Sequence, residues 1–260
     1  MSPALVQYEI NDFIAQVTLN NPPMNPLTAE AKQDLGRVFK ELDEKSDQVR
    51  AVVLAGGGEK AFAAGADIKA FLELTPETAL PRLERSHEIF SLVENYRWPV
   101  IAAIRGFCLG GGLELALCCD IRYAAEDAVL GFPEVNLSIF PGNGGMARGL
   151  HFLGLGRFKE LVYTGRRISA AEAYEYGLVE KVVPTEALME EALGLAKSIA
   201  KRGPLGVAGA KKVINQTRDL AVSEALAVES RNWSQLAATE DMKEGARAFV
   251  EKRKPVYRCR

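Results

Sequence analysis

The stretch GFCLGGGLELALCCD, residues 106–120, decides how this chain is organised. It holds three successive glycines, and Glu114 is the only charged residue between Gly106 and Cys119. A carboxylate among apolar residues is costly unless it is paired, hydrogen-bonded or neutralised. The apolar run at 99–104 precedes the glycines, so we predict a buried strand, a tight turn and a short apolar helix.

A second stretch, AVLGFPEVNLSIFPGNGGMA at residues 128–147, repeats this arrangement. Glu134 is its only charge, and glycines stand within a few residues of it. Burial should raise the pKa of such carboxyls, and a nearby like charge should raise one of them further. Two isolated acids beside glycine runs therefore predict two general acid/base groups next to backbone donors for an oxyanion.

Each feature also has a purely structural interpretation. Glu114 could form a buried ion pair with Arg105 or Arg122, and Glu134 could cap or brace a loop. The glycines at 110–112 could serve only a tight connection, or they could open a helix whose free N–H groups face an anion. Small residues at 61–68 would let a ligand approach the backbone, but such loops are more often just tightly packed.

Working outward, the pattern predicts an α/β fold with substantial parallel character. A β-hairpin is expected at 5–20, and Thr28 is a candidate N-cap for a helix reaching about residue 44. Buried strands are expected at 51–55, 99–104 and 120–124, with a helix at 77–96. Helical periodicity dominates later, with helices predicted near 158–164, 169–176, 186–201, 204–216, 221–238 and 241–252, and a strand-like break at 182–183.

Composition excludes several classes of function. The 260 residues carry a formal net charge of -2, which argues against a general nucleic-acid or anionic-membrane surface. The four cysteines form no CxxC pair, and the two histidines have no metal-ligand spacing, so we expect free thiols and no metal site. Neither a secretory leader nor an apolar membrane-length span is evident, so a cytoplasmic protein is expected.

At its three glycine-rich stretches the chain resembles the crotonase superfamily, the enoyl-CoA hydratases and isomerases. The matching motifs are AFAAGADIK at 61–69, GFCLGGGLELALCCD at 106–120 and FPEVNLSIFPGNGG at 132–145. The resemblance implies a core of repeated ββα units with a C-terminal helical trimerisation region. It also implies a homotrimer or homohexamer, with residues 1–195 as the catalytic core and 196–260 as the oligomerisation region.

The resemblance further implies an acyl-CoA substrate and no separate cofactor. The backbone N–H groups of Ala66 and Gly111 would form the oxyanion hole for the thioester oxygen. Glu114 would activate a water for attack on the β-carbon, Glu134 would protonate the α-carbon, and Gly142 would help to place the water.

The CoA moiety is expected to contact the same loop that supplies the first oxyanion donor. The implied CoA-binding residues are Ala64, Asp67, Ile68 and Lys69.

Retaining both acids favours a 2-enoyl-CoA hydratase over a Δ3-Δ2-enoyl-CoA isomerase, which would use Glu134 alone. A non-catalytic acyl-CoA-binding or RNA-binding relative is a third alternative, disfavoured by the intact acids and the lack of a broad basic surface. The chain departs from the hydratase pattern at Leu137-Ser138 and at Met146-Ala147-Arg148. The acyl group is therefore left open, with branched, cyclic or aromatic-derived chains among the candidates.

Overall fold

The computed structural model describes residues 4–65 and 71–260, in which strands and helices alternate. The strands are β1 (Val6–Asn11), β2 (Ile14–Leu19), β3 (Ala51–Gly56), β4 (Ala61–Ala63), β5 (Val100–Ile104), β6 (Phe107–Leu109), β7 (Ile121–Ala125), β8 (Val129–Gly131), β9 (Arg167–Ser169) and β10 (Lys181–Val183). The helices are α1 (Ala29–Glu44), α2 (Pro76–Glu94), α3 (Gly111–Ala116), α4 (Gly145–Thr164), α5 (Ala170–Glu175), α6 (Leu188–Ala200), α7 (Pro204–Thr217), α8 (Val222–Leu236) and α9 (Glu240–Val250). Short 3-10 helices cover Pro133–Leu137 and Thr185–Ala187.

Two sheets form the core. The larger has the order β1-β2-β3-β5-β7-β10, with β1 antiparallel to β2 and the other neighbours parallel. The smaller has the order β4-β6-β8-β9, with only β9 antiparallel to its neighbour. Successive strand pairs β3/β4, β5/β6 and β7/β8 place one strand in each sheet before the chain enters a helix. The predicted α/β fold of ββα units is therefore confirmed.

Local sequence signals placed the longer elements correctly. The hairpin is present, and the hydroxyl of Thr28 accepts a hydrogen bond from the N–H of Ala31 at 3.2 Å, as expected for an N-cap. Strands β4, β6, β8 and β9 were missed because three residues are too few to show alternation. The helix predicted near 158 begins at Gly145 and is interrupted at Gly154, whose φ of 69° breaks the helical pattern.

The C-terminal third is helical, as expected, but its helices differ in burial. On α6, Ala192, Ala196 and Ala200 pack with apolar residues of the larger sheet. This helix runs through residue 195, and the expected domain boundary there stays a prediction. By contrast α8 has no buried residue at all. Within residues 4–65 and 71–260, none of the helices combines the length and apolar character needed to span a bilayer.

Candidate active site

Glu114 lies on α3 with its side chain completely buried. Its Oε1 accepts hydrogen bonds from the backbone N–H of Asn143 at 2.7 Å and of Gly145 at 2.8 Å. Its Oε2 accepts one from Nδ2 of Asn143 at 2.7 Å. The ion-pair interpretation of Glu114 is wrong, because Arg122 pairs with Glu180 and Arg105 lies near Asp127. Backbone and amide donors, not an arginine, stabilise this buried carboxylate.

The glycine run before Glu114 lets neighbouring groups approach its backbone closely on two sides. Gly110 has a φ of 55°, and a Cβ there would lie 2.7 Å from Oε1 of Glu134. A Cβ at Gly112 would overlap the backbone carbonyl of Ala63, on the neighbouring strand β4. These glycines therefore form the tight connection and also bring the α3 N-terminus against the second acid. The N–H of Gly111 belongs to the first helical turn, which has no intrahelical acceptor.

Glu134 stands in the first turn of the 3-10 helix that follows β8. Its Oε2 is buried and has no hydrogen-bond partner within the described residues. Burial raises the pKa of Glu134 to about 7, the charge of Glu114 adds to the increase, and a hydrogen bond from its own backbone opposes it. Near neutral pH this carboxyl can therefore both give and take a proton.

The loop that precedes α4 brings Gly142 close to Glu114. Nε2 of His87 donates to the carbonyl of Gly142 at 2.7 Å, and a Cβ at Gly142 would press against Leu83 at 3.0 Å. The next residue, Asn143, supplies two of the hydrogen bonds to Glu114. Gly142 thus adjoins the residue that donates to the buried carboxylate, and its role in placing a water stays a prediction.

The structure brings together four of the predicted site residues: Gly111, Glu114, Glu134 and Gly142. A fifth, Ala64, is buried just after β4, and its N–H donates to the carbonyl of Met24 at 2.8 Å. The predicted oxyanion donor Ala66 and the predicted CoA contacts Asp67, Ile68 and Lys69 lie outside the described residues. Their roles stay predictions.

Sequence reasoning missed two residues of this site, Lys32 and Asn143. The ammonium of Lys32 donates to Oδ1 of Asn143 at 3.0 Å and so reaches Glu114 through one amide. A signal existed: Lys32 stands three residues before Leu35 and seven before Phe39, on the face of α1 that carries its apolar residues. A lysine at such a position indicates a polar role for a partly buried side chain.

In the described ranges, no group of three or more His, Cys, Asp or Glu side chains is arranged to hold a metal ion. The cysteines are free thiols, as expected, and Cys108, Cys118 and Cys119 are buried. Burial raises the pKa of all three thiols. Thiols in this environment are unreactive and have a structural role.

Comparison with known proteins gives a consistent answer across nearly the whole chain. Residues 9–260 match the family model for enoyl-CoA hydratase/isomerase. A short-chain-enoyl-CoA hydratase of Clostridium acetobutylicum is 40% identical over 93% of this chain and 92% of its own length. A crotonyl-CoA hydratase of Syntrophomonas wolfei is 38% identical over 95% of both chains. The crystal structure of an enoyl-CoA hydratase from Bacillus anthracis superposes with a TM-score of 0.93 at 40% identity, covering 98% of this chain and 100% of that one.

Proposed function

Because this chain belongs to the enoyl-CoA hydratase/isomerase family, we propose that it adds water reversibly across the 2,3-double bond of a 2-enoyl-CoA thioester. The product is a 3-hydroxyacyl-CoA. The observation that carries this proposal is a pair of carboxyls beside the glycine run, the buried Glu114 and the half-buried Glu134, held in opposite environments.

The two environments suit opposite roles. Glu114 accepts three N–H hydrogen bonds, which hold its two oxygens in place for the role of base. Glu134 has an unsatisfied buried oxygen and a pKa of about 7, which favour its protonated, acid form near neutrality. Such a division between neighbouring carboxyls is what an acid/base pair needs.

In hydration, a water bound between the acids loses a proton to Glu114 as its oxygen bonds to the β-carbon. The electron pair of the double bond moves toward the thioester carbonyl, giving an enolate. The proton of Glu134 then passes to the α-carbon, and the carbonyl reforms. Glu114 takes up one proton and Glu134 gives one up, so water is the only reactant that is consumed besides the enoyl thioester.

The developing enolate needs donors that are already in place. The N–H of Gly111, in the first turn of α3, suits this role, and the N–H of Ala66 would be its partner. Loss of one such donor typically costs about 10² to 10³-fold in rate. The N–H of Gly142 has no acceptor among the described residues and would hold the water. Ala64 and the loop of Asp67, Ile68 and Lys69 would contact the CoA moiety, and the chain itself would need no other cofactor.

The proposal predicts a distinctive pH dependence. Hydration needs one proton on the Glu114/Glu134 pair, so kcat/KM with crotonyl-CoA should fall as pH rises through about 7 and that proton is lost. Dehydration of 3-hydroxybutyryl-CoA should show the same alkaline limb, because the overall reaction releases no proton. The measurement is the change in absorbance of the conjugated thioester, repeated with longer, branched and cyclic enoyl groups to rank the acyl chain.

The pH dependence of isomerisation would be opposite to that of hydration. An isomerase starts with Glu134 ionised in order to remove a proton from the substrate, so its kcat/KM should rise through the same pH range. A 3-enoyl-CoA assayed in parallel therefore separates the two activities. Turnover of the 3-enoyl substrate alone would contradict the hydratase proposal, and tight CoA binding without any turnover would favour a non-catalytic relative.

The homotrimer or homohexamer expected from the sequence is also proposed, on the basis of exposed apolar side chains in the C-terminal region. Val222, Leu226 and Trp233 share one face of α8, and Phe249 at the end of α9 is 86% exposed. Light scattering should give three or six times the 28.3 kDa chain mass. Replacing Trp233 with glutamate should lower that mass if this face lies in the interface; a wild-type monomer would contradict the proposal.

A further inference from the structure

Lys32 is a cation held beside the candidate active site by neutral acceptors. Its Nζ donates to Oγ of Ser86 at 2.9 Å and to Oδ1 of Asn143 at 3.0 Å. Among the described residues, no carboxylate lies within salt-bridge distance of it. Burial and then the charge of Arg82 lower the pKa of Lys32 to about 8, while the carboxylate of Glu114 opposes both effects. A partly buried ammonium without a direct counter-ion is costly, and a functional role would explain its retention.

The contact with Lys32 fixes the orientation of the Asn143 amide. An ammonium has three donors and no acceptor, so only the oxygen of the amide can face it. The amide nitrogen is then directed toward Oε2 of Glu114, where it donates at 2.7 Å. If Lys32 were absent, the carboxylate of Glu114 would still attract the amide nitrogen, but the amide oxygen would lose its donor and the side chain would be held at one end only. Lys32 therefore anchors the far end of a two-step chain of hydrogen bonds that ends on Glu114.

The same hydrogen bonds distinguish the two oxygens of Glu114. A carboxylate oxygen has two lone-pair sites. Both sites of Oε1 are occupied, by the N–H groups of Asn143 and Gly145. Among residues 4–65 and 71–260, Oε2 receives only the amide of Asn143, so one of its lone pairs is left for another partner.

We propose that Lys32 and Asn143 are positioning residues that orient Glu114 so that the remaining lone pair of Oε2 takes the proton from the attacking water. This inference rests on the proposed hydration activity and assigns its base to a single atom. The water's O–H bond breaks toward Oε2, its oxygen bonds to the β-carbon, and Glu134 supplies the α-carbon proton. Without the Lys32 contact, the amide is held at one end only and no longer fixes the position of Oε2.

The test compares Lys32→Met, Asn143→Ala and their double variant with crotonyl-CoA. Each single variant should lower kcat about tenfold with KM unchanged, as expected for one lost hydrogen bond to a charged group. The double variant should fall no further than the singles, because both residues act through one chain of contacts. Lys32→Arg retains a donor and should keep most of the activity. Lys40→Met, an exposed change on the same helix, is the matched control.

The pH profile distinguishes positioning from a merely structural role. Lys32 faces Ser86, Arg82 and the ring of Phe90 on α2, together with Asn143 and Glu114. Removing the cation changes the charge next to the pair of acids, so the pH profile of kcat/KM should shift in Lys32→Met but not in Lys32→Arg.

Melting temperature provides a second control. It should not fall in Lys32→Met, since an apolar side chain replaces a partly buried charge. Equal activity and identical pH limbs in Lys32→Met and wild type would overturn the inference. So would additive losses in the double variant. Failure of the wild type to hydrate any enoyl-CoA would instead overturn the proposed function, so the two failures are distinguishable.

Discussion

Replacing Glu114 with glutamine should lower kcat for hydration of a 2-enoyl-CoA by about 10² to 10⁴-fold, the usual range for loss of a general acid or base. Glutamine is close in size but cannot take the proton of the water. Its amide also has a single acceptor oxygen, whereas Glu114 receives N–H donors on both oxygens. An N–H donor of the protein would then face the NH2 group of the glutamine. This unsatisfied contact should also lower the melting temperature.

A second substrate makes this result specific to hydration. Conversion of a 3-enoyl-CoA, if the protein catalyses it, needs Glu134 alone and should largely persist in Glu114→Gln. Glu175→Gln changes an exposed glutamate on α5 and is the matched control for both assays. Hydration that survives in Glu114→Gln would show that the base is another group.

The parts of this site that could be predicted from sequence share one physical property. Glu114 and Glu134 are isolated charges in apolar, glycine-rich surroundings, and burial of a carboxylate is unusual enough to be noticed in a single chain. The glycines could be placed beside these two acids because a group of glycines stands within a few residues of each acid in the sequence. The helical periodicity and the Thr28 cap were likewise local signals.

The missed parts depend on contacts between distant segments. Lys32 and Asn143 are 111 positions apart in the chain, and their hydrogen bond exists only because α1 packs near the loop before α4. Arg122 pairs with Glu180, 58 positions further along the chain, and no local pattern reveals this contact. The three-residue strands of the smaller sheet are defined by pairing rather than by periodicity. Such features follow from the assembled fold, not from any window of sequence.

Glu134→Gln should combine a large loss of hydration with a gain in stability that depends on pH. The variant has no proton to give to the α-carbon, so kcat should fall by about 10² to 10⁴-fold. In the wild type, the folded-state pKa of Glu134 is raised from the ordinary value of 4.5 to about 7. A raised pKa means that the folded state holds its proton more tightly than the unfolded state. The resulting stabilisation is complete below about pH 4.5 and is lost as pH rises through 7.

Glutamine is neutral at every pH, so it avoids the penalty of ionising a buried group. Relative to wild type, Glu134→Gln should therefore gain stability between pH 5 and pH 8, by at most about 3 kcal/mol. Thermal unfolding at the two pH values measures this difference, with Glu175→Gln as the control that should show none. An equal effect at both pH values would mean that Glu134 does not titrate in the folded protein. A pH-dependent gain in stability together with a loss of activity would show that Glu134 is retained for catalysis at the expense of stability.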